Sequence, residues 1–458
     1  MAGCKALNGQ AVSEIAEEIG MSRQYVYEQK AKAAEYVASL DKAEPEVPVL
    51  KLDKKTIDRM ILSLALDCQA PYDGIVRFFD NAICEKGVSA GYISELLAKA
   101  SERAEQFDRQ IDLSGIRQGA NDEIFQCGIP ILTGVDPEST YTYLLEEATD
   151  RTADTWELYL DDRKDQGLNL ETSINDGATG LMAGVRQAFP EVQIQADTFH
   201  AMQTLGREVS KLERQSHKLI GQESALEANL AGKKPRAKNK ERLAQIRPEV
   251  AVAISLYDKI FILFTWLKEM LSFSGYSMAE AMILSEWILR EMNELSESNP
   301  GLRSEITKVQ KMLPSLLSFI GRLEREMELV AKEARIPVEG FHLMYRQKIY
   351  APGSRQNSEI HCKQVSLLAE QYPEVRSKFE QILRRTKKAS SLVENLNGRI
   401  RVFIEVKRVI PPRFFILLKV YFNTRRFHRS RYSERVGKSP LELLTGCTQP
   451  DFFDAIGY

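Results

Sequence analysis

Asn121–Asp150 reads NDEIFQCGIPILTGVDPESTYTYLLEEATD. It holds three short runs rich in Ile, Phe, Val, Thr and Tyr, separated by a Gly turn and a Pro-Glu turn, and this pattern predicts an antiparallel meander. The period then changes. TADTWELYLDDRKDQ (152–166) has the spacing of a helix, LETSIND (170–176) of a strand, ATGLMAGVRQAF (178–189) of a helix and VQIQA (192–196) of another strand. Three strands followed by alternating helix and strand define an α/β core from about 111 to 206.

Upstream, Ala11–Leu40 (AVSEIAEEIGMSRQYVYEQKAKAAEYVASL) predicts a helix, a turn at Gly20-Met21 and a second helix capped by Ser22. Ile15, Ile19, Val26 and Tyr27 are expected to face inward between the two helices. Ser22, Arg23, Gln24 and Tyr27 open the second helix, as in a helix-turn-helix that enters a major groove; an ordinary helical hairpin is the alternative. Pro45 and Pro48 mark a linker over 43–53. A second helical unit, 54–110, repeats the pattern more loosely, with a longer turn between Ile83 and a helix starting at Ser89.

Downstream, residues 207–383 keep apolar spacings of three and four almost throughout, which predicts a large all-helical block inserted into the core. AGKKPRAKNKERL (231–243) interrupts it as an expected solvated loop. Trp266 and Trp287 sit in amphipathic runs and are expected in the core of this block. Residues 384–458 would complete the α/β core.

The 458 residues exceed what one core organises, and 43% hydrophobic with 28% charged residues excludes wholesale disorder. No run of 18 apolar residues and no secretory pattern occurs at the start, so a cytosolic protein without membrane partners is expected. Six scattered cysteines form no CxxC pair and are expected to be reduced and structural. The net charge of -2 conceals an asymmetry: Ile382–Lys438 holds 16 Lys and Arg against Glu394, Glu405 and Glu434, a local charge of +13. Such a block suits nucleic-acid phosphates, although a solvated basic surface would read the same way.

Three carboxylates stand in contexts suited to oxygen-ligated divalent ions. Asp122 lies inside an apolar-flanked strand, where a carboxylate is otherwise costly. Asp176 ends the strand before GATG, and Glu394 lies on a helix of the basic segment. Each has a plainer reading: Asp122 as a surface residue of an edge strand, Asp176 as a helix cap, and Glu405, eleven residues on, as a rival to Glu394 on nearly the same helix face. Glu123 is expected to point to the opposite side of its strand from Asp122.

The phrases NDEIF, SINDGATGLMAGVRQAFP (173–190), ADTFHAM (196–202), VENLNGRIR (393–401), YFNTRRFHRSR (421–431) and GKSPLELLTG (437–446), in that order, resemble bacterial insertion-sequence transposases of the DDE class. The resemblance covers about 119–206 and 388–446. It implies an RNase H-like catalytic core interrupted by the helical insertion, with Asp122, Asp176 and Glu394 binding two Mg2+ ions, or Mn2+ in their place. It further implies cleavage of double-stranded DNA at transposon ends, transfer of the freed 3'-hydroxyl into target DNA, and a homodimer or larger homo-oligomer in a bacterial cytosol.

Asp197 and His200 form a D-x-x-H spacing that such enzymes place beside the active site; an N-cap aspartate and a packed histidine are the alternatives. Arg399, Arg401, Arg425, Arg426, Arg429 and Arg431 are expected on the DNA backbone. A DNA-binding regulator that has lost catalysis, or a nuclease without strand transfer, would share the fold.

Overall fold

The computed structural model describes residues 1–40, 52–83, 87–232, 237–388 and 391–458. The expected linker centred on Pro45 and Pro48 falls outside them, as do Cys84 and Lys233–Arg236. The chain divides into two compact units, Met1–Ile57 and Asp58–Tyr458.

The first unit contains α1 (Ala2–Leu7), α2 (Val12–Ile19) and α3 (Arg23–Leu40). α2 ends at Gly20, whose φ of 67° is the left-handed conformation a Cβ disfavours. Two residues on, Ser22 Oγ accepts the Tyr25 N–H at 3.2 Å and fixes the start of α3. Ile15 and Val26 are fully buried against Ala6 and Ala16. Ile19 and Tyr27, expected inward, are exposed; the core of this unit closes instead on Ala6, Ile15, Ala16 and Val26. α1 itself has too short an apolar pattern to be predicted. Its Gly3 lies where a Cβ would stand 2.2 Å from the Gln29 carbonyl oxygen, so only glycine allows this approach of α1 to α3.

α4 (Lys54–Leu66), most of which belongs to the second unit, is followed by α5 (Tyr72–Phe78) continued by a π-helical turn, and by α6 (Ala90–Asp108), which Ser89 caps. The sheet follows as β1 (Gln118–Gln126), β2 (Ile129–Val135) and β3 (Thr142–Glu147), then α7 (Ala153–Lys164), β4 (Thr172–Asn175), α8 (Thr179–Ala188) and β5 (Gln193–Ala196). Strand order is β3-β2-β1-β4-β5. β1, β2 and β3 pair antiparallel, and β4 and β5 are parallel to β1 and to each other. Both expected helices and all five expected strands are present.

α7 and α8 cover one face of the sheet, with Trp156 and Leu160 buried against Val185 and Leu181. Long helices follow: α9 (Thr198–Leu230), α10 (Ala237–Met270), α11 (Met278–Leu295) and α12 (Pro300–Ala334), then the shorter α13 (Val338–Arg346), α14 (Arg355–Leu368) and α15 (Tyr372–Arg385). They share one apolar core built around Leu316, Phe319, Ile320 and Phe341. The expected loop 231–243 is helical from Ala237, and Leu243 packs with Ile246 and Val250 in a satellite core. Trp266 and Trp287 are not in the core. They are 45% and 39% exposed, stacked on each other at 6.2 Å. The five described cysteines are exposed free thiols, which removes the structural role expected of them.

β5 has a free edge that the helical block and the returning chain satisfy. Ser315 of α12 accepts the Ala196 N–H at 2.8 Å and donates to the Ile194 carbonyl at 3.1 Å. Gln195 reaches the Lys387 carbonyl, and Thr198 donates its hydroxyl to the Lys388 carbonyl at 2.9 Å. A strap at 386–388 is thus tied beside β5 and leads into α16 (Ser391–Lys407).

Beyond α16, Gln126 at the end of β1 exchanges two hydrogen bonds with the Ile410 backbone. Asn423 of α17 (Pro412–Thr424) does the same with Thr142 of β3. α18 (Pro440–Thr445) and α19 (Phe452–Ala455) close the chain.

Candidate active site

Asp122 sits in the central strand, not at an edge, and its residue is 8% exposed. The pleat sends its neighbour Glu123 to the other face, where Arg151 pairs with it at 2.8 Å. Asp122 Oδ1 accepts the Glu123 N–H at 2.8 Å, and Oδ2 accepts Nδ2 of Asn397 from α16 at 2.7 Å. Burial pushes the Asp122 carboxyl up to about 7. The Glu123 hydrogen bond does not offset this, and the nearby negative charges of Asp176 and Glu394 add to it. A carboxylate kept on a buried strand at this cost serves something other than packing.

Glu394, three residues before Asn397 on the same helix, is partly exposed and lies 3.3 Å from His200 Nε2. Nδ1 of that histidine lies 3.3 Å from Asp197, whose side chain is fully buried. Asp197 also caps α9 by accepting the Phe199 N–H at 2.7 Å, so capping and placement beside the site are one arrangement. Asp176 is exposed at the mouth of the site, just past β4. Its Oδ1 accepts the Ala178 N–H at 2.9 Å, a turn that leads into α8. Glu405 is exposed and joins none of these contacts.

Asn397 escaped the sequence reading. Its amide is fully buried, with Oδ1 lacking a hydrogen-bond partner beside Asp122. The signal available was its i,i+3 spacing from Glu394, which puts both on one face of a helix. Among the described residues no group of three or more His, Cys, Asp or Glu side chains is gathered closely enough to hold a metal ion. Asp122, Asp176, Glu394 and the unpartnered Oδ1 of Asn397 present oxygen atoms, the donor type that a hard divalent cation takes.

The arginines of the basic segment divide into two groups. Arg425 and Arg426 face Asp67 at 3.9 Å and Glu442 at 3.0 Å, and Arg401 lies 3.8 Å from Glu394. Lys419 is buried in an ion cluster with Asp108, at 2.7 Å, where Arg163 also binds, so part of the segment's charge is structural. Arg399 has no acidic partner among the described residues. It lies 3.8 Å over the Phe422 ring, and burial with the repulsion of Arg425 lowers its pKa to about 10. With Arg425, Arg426 and Arg429 it lines a cavity of about 420 Å³ on the flank of α16. Arg429 and Arg431 are exposed, as are Ser22, Arg23, Gln24 and Tyr27 on the first turns of α3.

Residues 133–317 match a family model described as transposase, that of the DDE class in the ISL3 group. The match runs from β2 through Asp176, Asp197 and His200 into α12, and it supports an insertion-sequence DDE-type transposase. Asp122 and Glu394 lie outside the matched range. No curated protein matches the chain.

Proposed function

We propose that this protein is a metal-dependent DNA transposase in which Asp122, Asp176 and Glu394 form the catalytic carboxylates of an RNase H-like core. One observation carries the proposal: a carboxylate buried in the central strand lies in the field of acids supplied by the turn after β4 and by a helix more than 200 residues later. The strand order β3-β2-β1-β4-β5 supports the fold assignment. Divalent ions, Mg2+ or Mn2+, bound among these oxygens would polarise the attacking oxygen and neutralise the leaving one.

The chain's own residues do the rest. Asn397 holds Asp122 in a single orientation. His200, set by Asp197, faces Glu394 and can take up or release a proton at Nε2. The freed 3'-hydroxyl would then attack target DNA without a covalent protein intermediate. Arg399, Arg429 and Arg431 hold DNA phosphates, while α3 reads the transposon end in the bacterial cytosol.

Cleavage and strand transfer on a labelled transposon-end duplex with Mg2+ test this reading. Asp122→Ala, Asp176→Ala and Glu394→Ala should each lower cleavage at least a hundredfold and leave duplex binding within a few fold. Glu405→Ala should cleave normally. Retained cleavage by Glu394→Ala with loss in Glu405→Ala would reassign the third carboxylate, and cleavage without strand transfer would make the protein a nuclease.

A further inference from the structure

The helical block encloses a cavity of about 580 Å³, walled by α14, α15 and the connections that lead into α11 and α14. Its size is that of a small-molecule site, and none of the carboxylates or arginines discussed above lines it. Each helix gives it one face. Asn357, His361 and Gln364 of α14 and Tyr372, Arg376 and Phe379 of α15 follow the same spacing of four and then three.

Three amides run as a chain through the wall. Gln347 donates Nε2 to Asn357 Oδ1 at 3.1 Å, and Gln364 donates Nε2 to Gln347 Oε1 at 3.0 Å and to the Leu343 carbonyl at 3.1 Å. A backbone carbonyl can only accept, so Leu343 fixes which end of the Gln364 amide faces it. Gln364 is fully buried, and its Oε1 is left without a hydrogen-bond partner. Amides polarised in one direction strengthen that last acceptor, and leaving it unpaired is costly. A ligand with an N–H donor would satisfy it.

The other walls describe the rest of that ligand. Tyr372 packs edge to face on His361 at 5.5 Å, with its hydroxyl 3.3 Å from Nδ1, and Phe379 adds apolar surface. Aromatic walls of this kind favour a flat ring with a π face. Lys348, also lining the cavity, is exposed and has no ion pair among the described residues, whereas Arg376 is held by Glu380 at 3.3 Å. A free ammonium beside an aromatic pocket suits a phosphate.

We propose that this cavity binds one nucleotide, its base against the aromatic wall with an exocyclic amino group donated to Gln364 Oε1, and its phosphate beside Lys348. Binding there needs neither metal nor cleavage, so its test is separate from that of the carboxylates. Calorimetric titration of the full chain with dAMP in chelator should give a dissociation constant below about 1 mM. The dAMP analogue with a dimethylated amino group keeps ring and phosphate but loses the donor. It should bind roughly tenfold more weakly, as should deoxyribose phosphate, which lacks the base.

Lys348→Ala should bring dAMP down to the affinity of deoxyadenosine and leave deoxyadenosine itself unchanged. Gln364→Leu should lose the preference for dAMP over its dimethylated analogue. Circular dichroism checks the fold of both variants, and the analogue series on the wild type carries the test if Gln364→Leu unfolds. Competition separates the two sources of a nucleotide. Displacement of dAMP by a duplex with one unpaired dA, and not by a fully paired duplex, assigns the cavity to a base of DNA; displacement by neither assigns it to a free nucleotide. Absence of dAMP binding, equal affinity for the dimethylated analogue, or displacement by both duplexes would overturn the proposal.

Discussion

At the scale of single residues Asp122 stands out, because the fold pays a cost to keep it. Its carboxyl titrates near 7 in the folded chain against an ordinary 3.8. A raised folded pKa means that the folded state holds the proton more tightly. The associated stability is fully present below about pH 4 and is lost as the pH rises toward 7. In chelator, the melting temperature should therefore fall over that range by the equivalent of a few kcal/mol at most, on the order set by ~1.4 kcal/mol per unit. Asp122→Asn should flatten the profile and stabilise the metal-free protein above neutrality. Its amide can still accept the Glu123 N–H, and the Asn397 amide can turn its unpartnered oxygen toward the new donor. Parallel melting profiles of the two proteins would show that Asp122 is not a buried, protonated carboxyl. Adding Mg2+ should raise the melting temperature of the wild type and leave that of Asp122→Asn unchanged.

At the scale of elements, the site depends on α7 and α8 seating closely on the sheet, since α8 begins just after Asp176. Gly184 allows that closeness: a Cβ there would stand 2.4 Å from the Trp156 Cβ and 2.5 Å from the Ala153 carbonyl oxygen. Neither is the flexible end of a side chain, so the helices would have to separate. Gly184→Val should destabilise the second unit by about 2–3 kcal/mol, and chemical denaturation measures it. An unchanged midpoint would show that α7 and α8 tolerate a wider crossing. α16 is held in register by comparably specific contacts. The strap at 386–388 ties the chain before it, the Gln126–Ile410 exchange ties the chain after it, and the Asn397 bond to Asp122 holds the helix itself.

For the whole molecule, the proposed function places recognition and chemistry in different units. The first unit has its own small core around Ile15 and Val26. Deleting residues 1–50 should leave the remainder with an unchanged melting transition and cost preference for the transposon end over random duplex. Footprinting that shows equal end protection by the truncated chain would move recognition into the second unit. In the basic segment, the structure separates free from paired charge. Arg429→Ala with Arg431→Ala should reduce the log-log salt slope of duplex binding by about two, roughly one for each phosphate that no longer has a cation beside it. Arg426→Ala, which removes a partner of Glu442, should change it less. A larger effect from Arg426 would show that it leaves Glu442 for DNA.

The sequence by itself determined the local elements of the sheet and the helices, because strand and helix periods are written in neighbouring residues. It also pointed to Asp122, Asp176 and Glu394 through their flanking phrases. Other features depend on which surfaces meet, and no short-range pattern encodes that. The core of the first unit closed on Ala6, Ile15, Ala16 and Val26 and left Ile19 and Tyr27 exposed, and Trp266 and Trp287 lie outside the core they were expected to fill. An amphipathic helix shows that a face is apolar but not whether its own chain covers it, and α10 is apolar on two sides. Asn397 was likewise invisible, since a buried amide acquires its role only when β1 and α16, some 270 residues apart, bring it to Asp122. Strand and helix propensity are local energies that the sequence states directly. Burial, hydrogen-bond partnership and the elevated Asp122 pKa are energies of contact between distant segments, and only the tertiary structure fixes them.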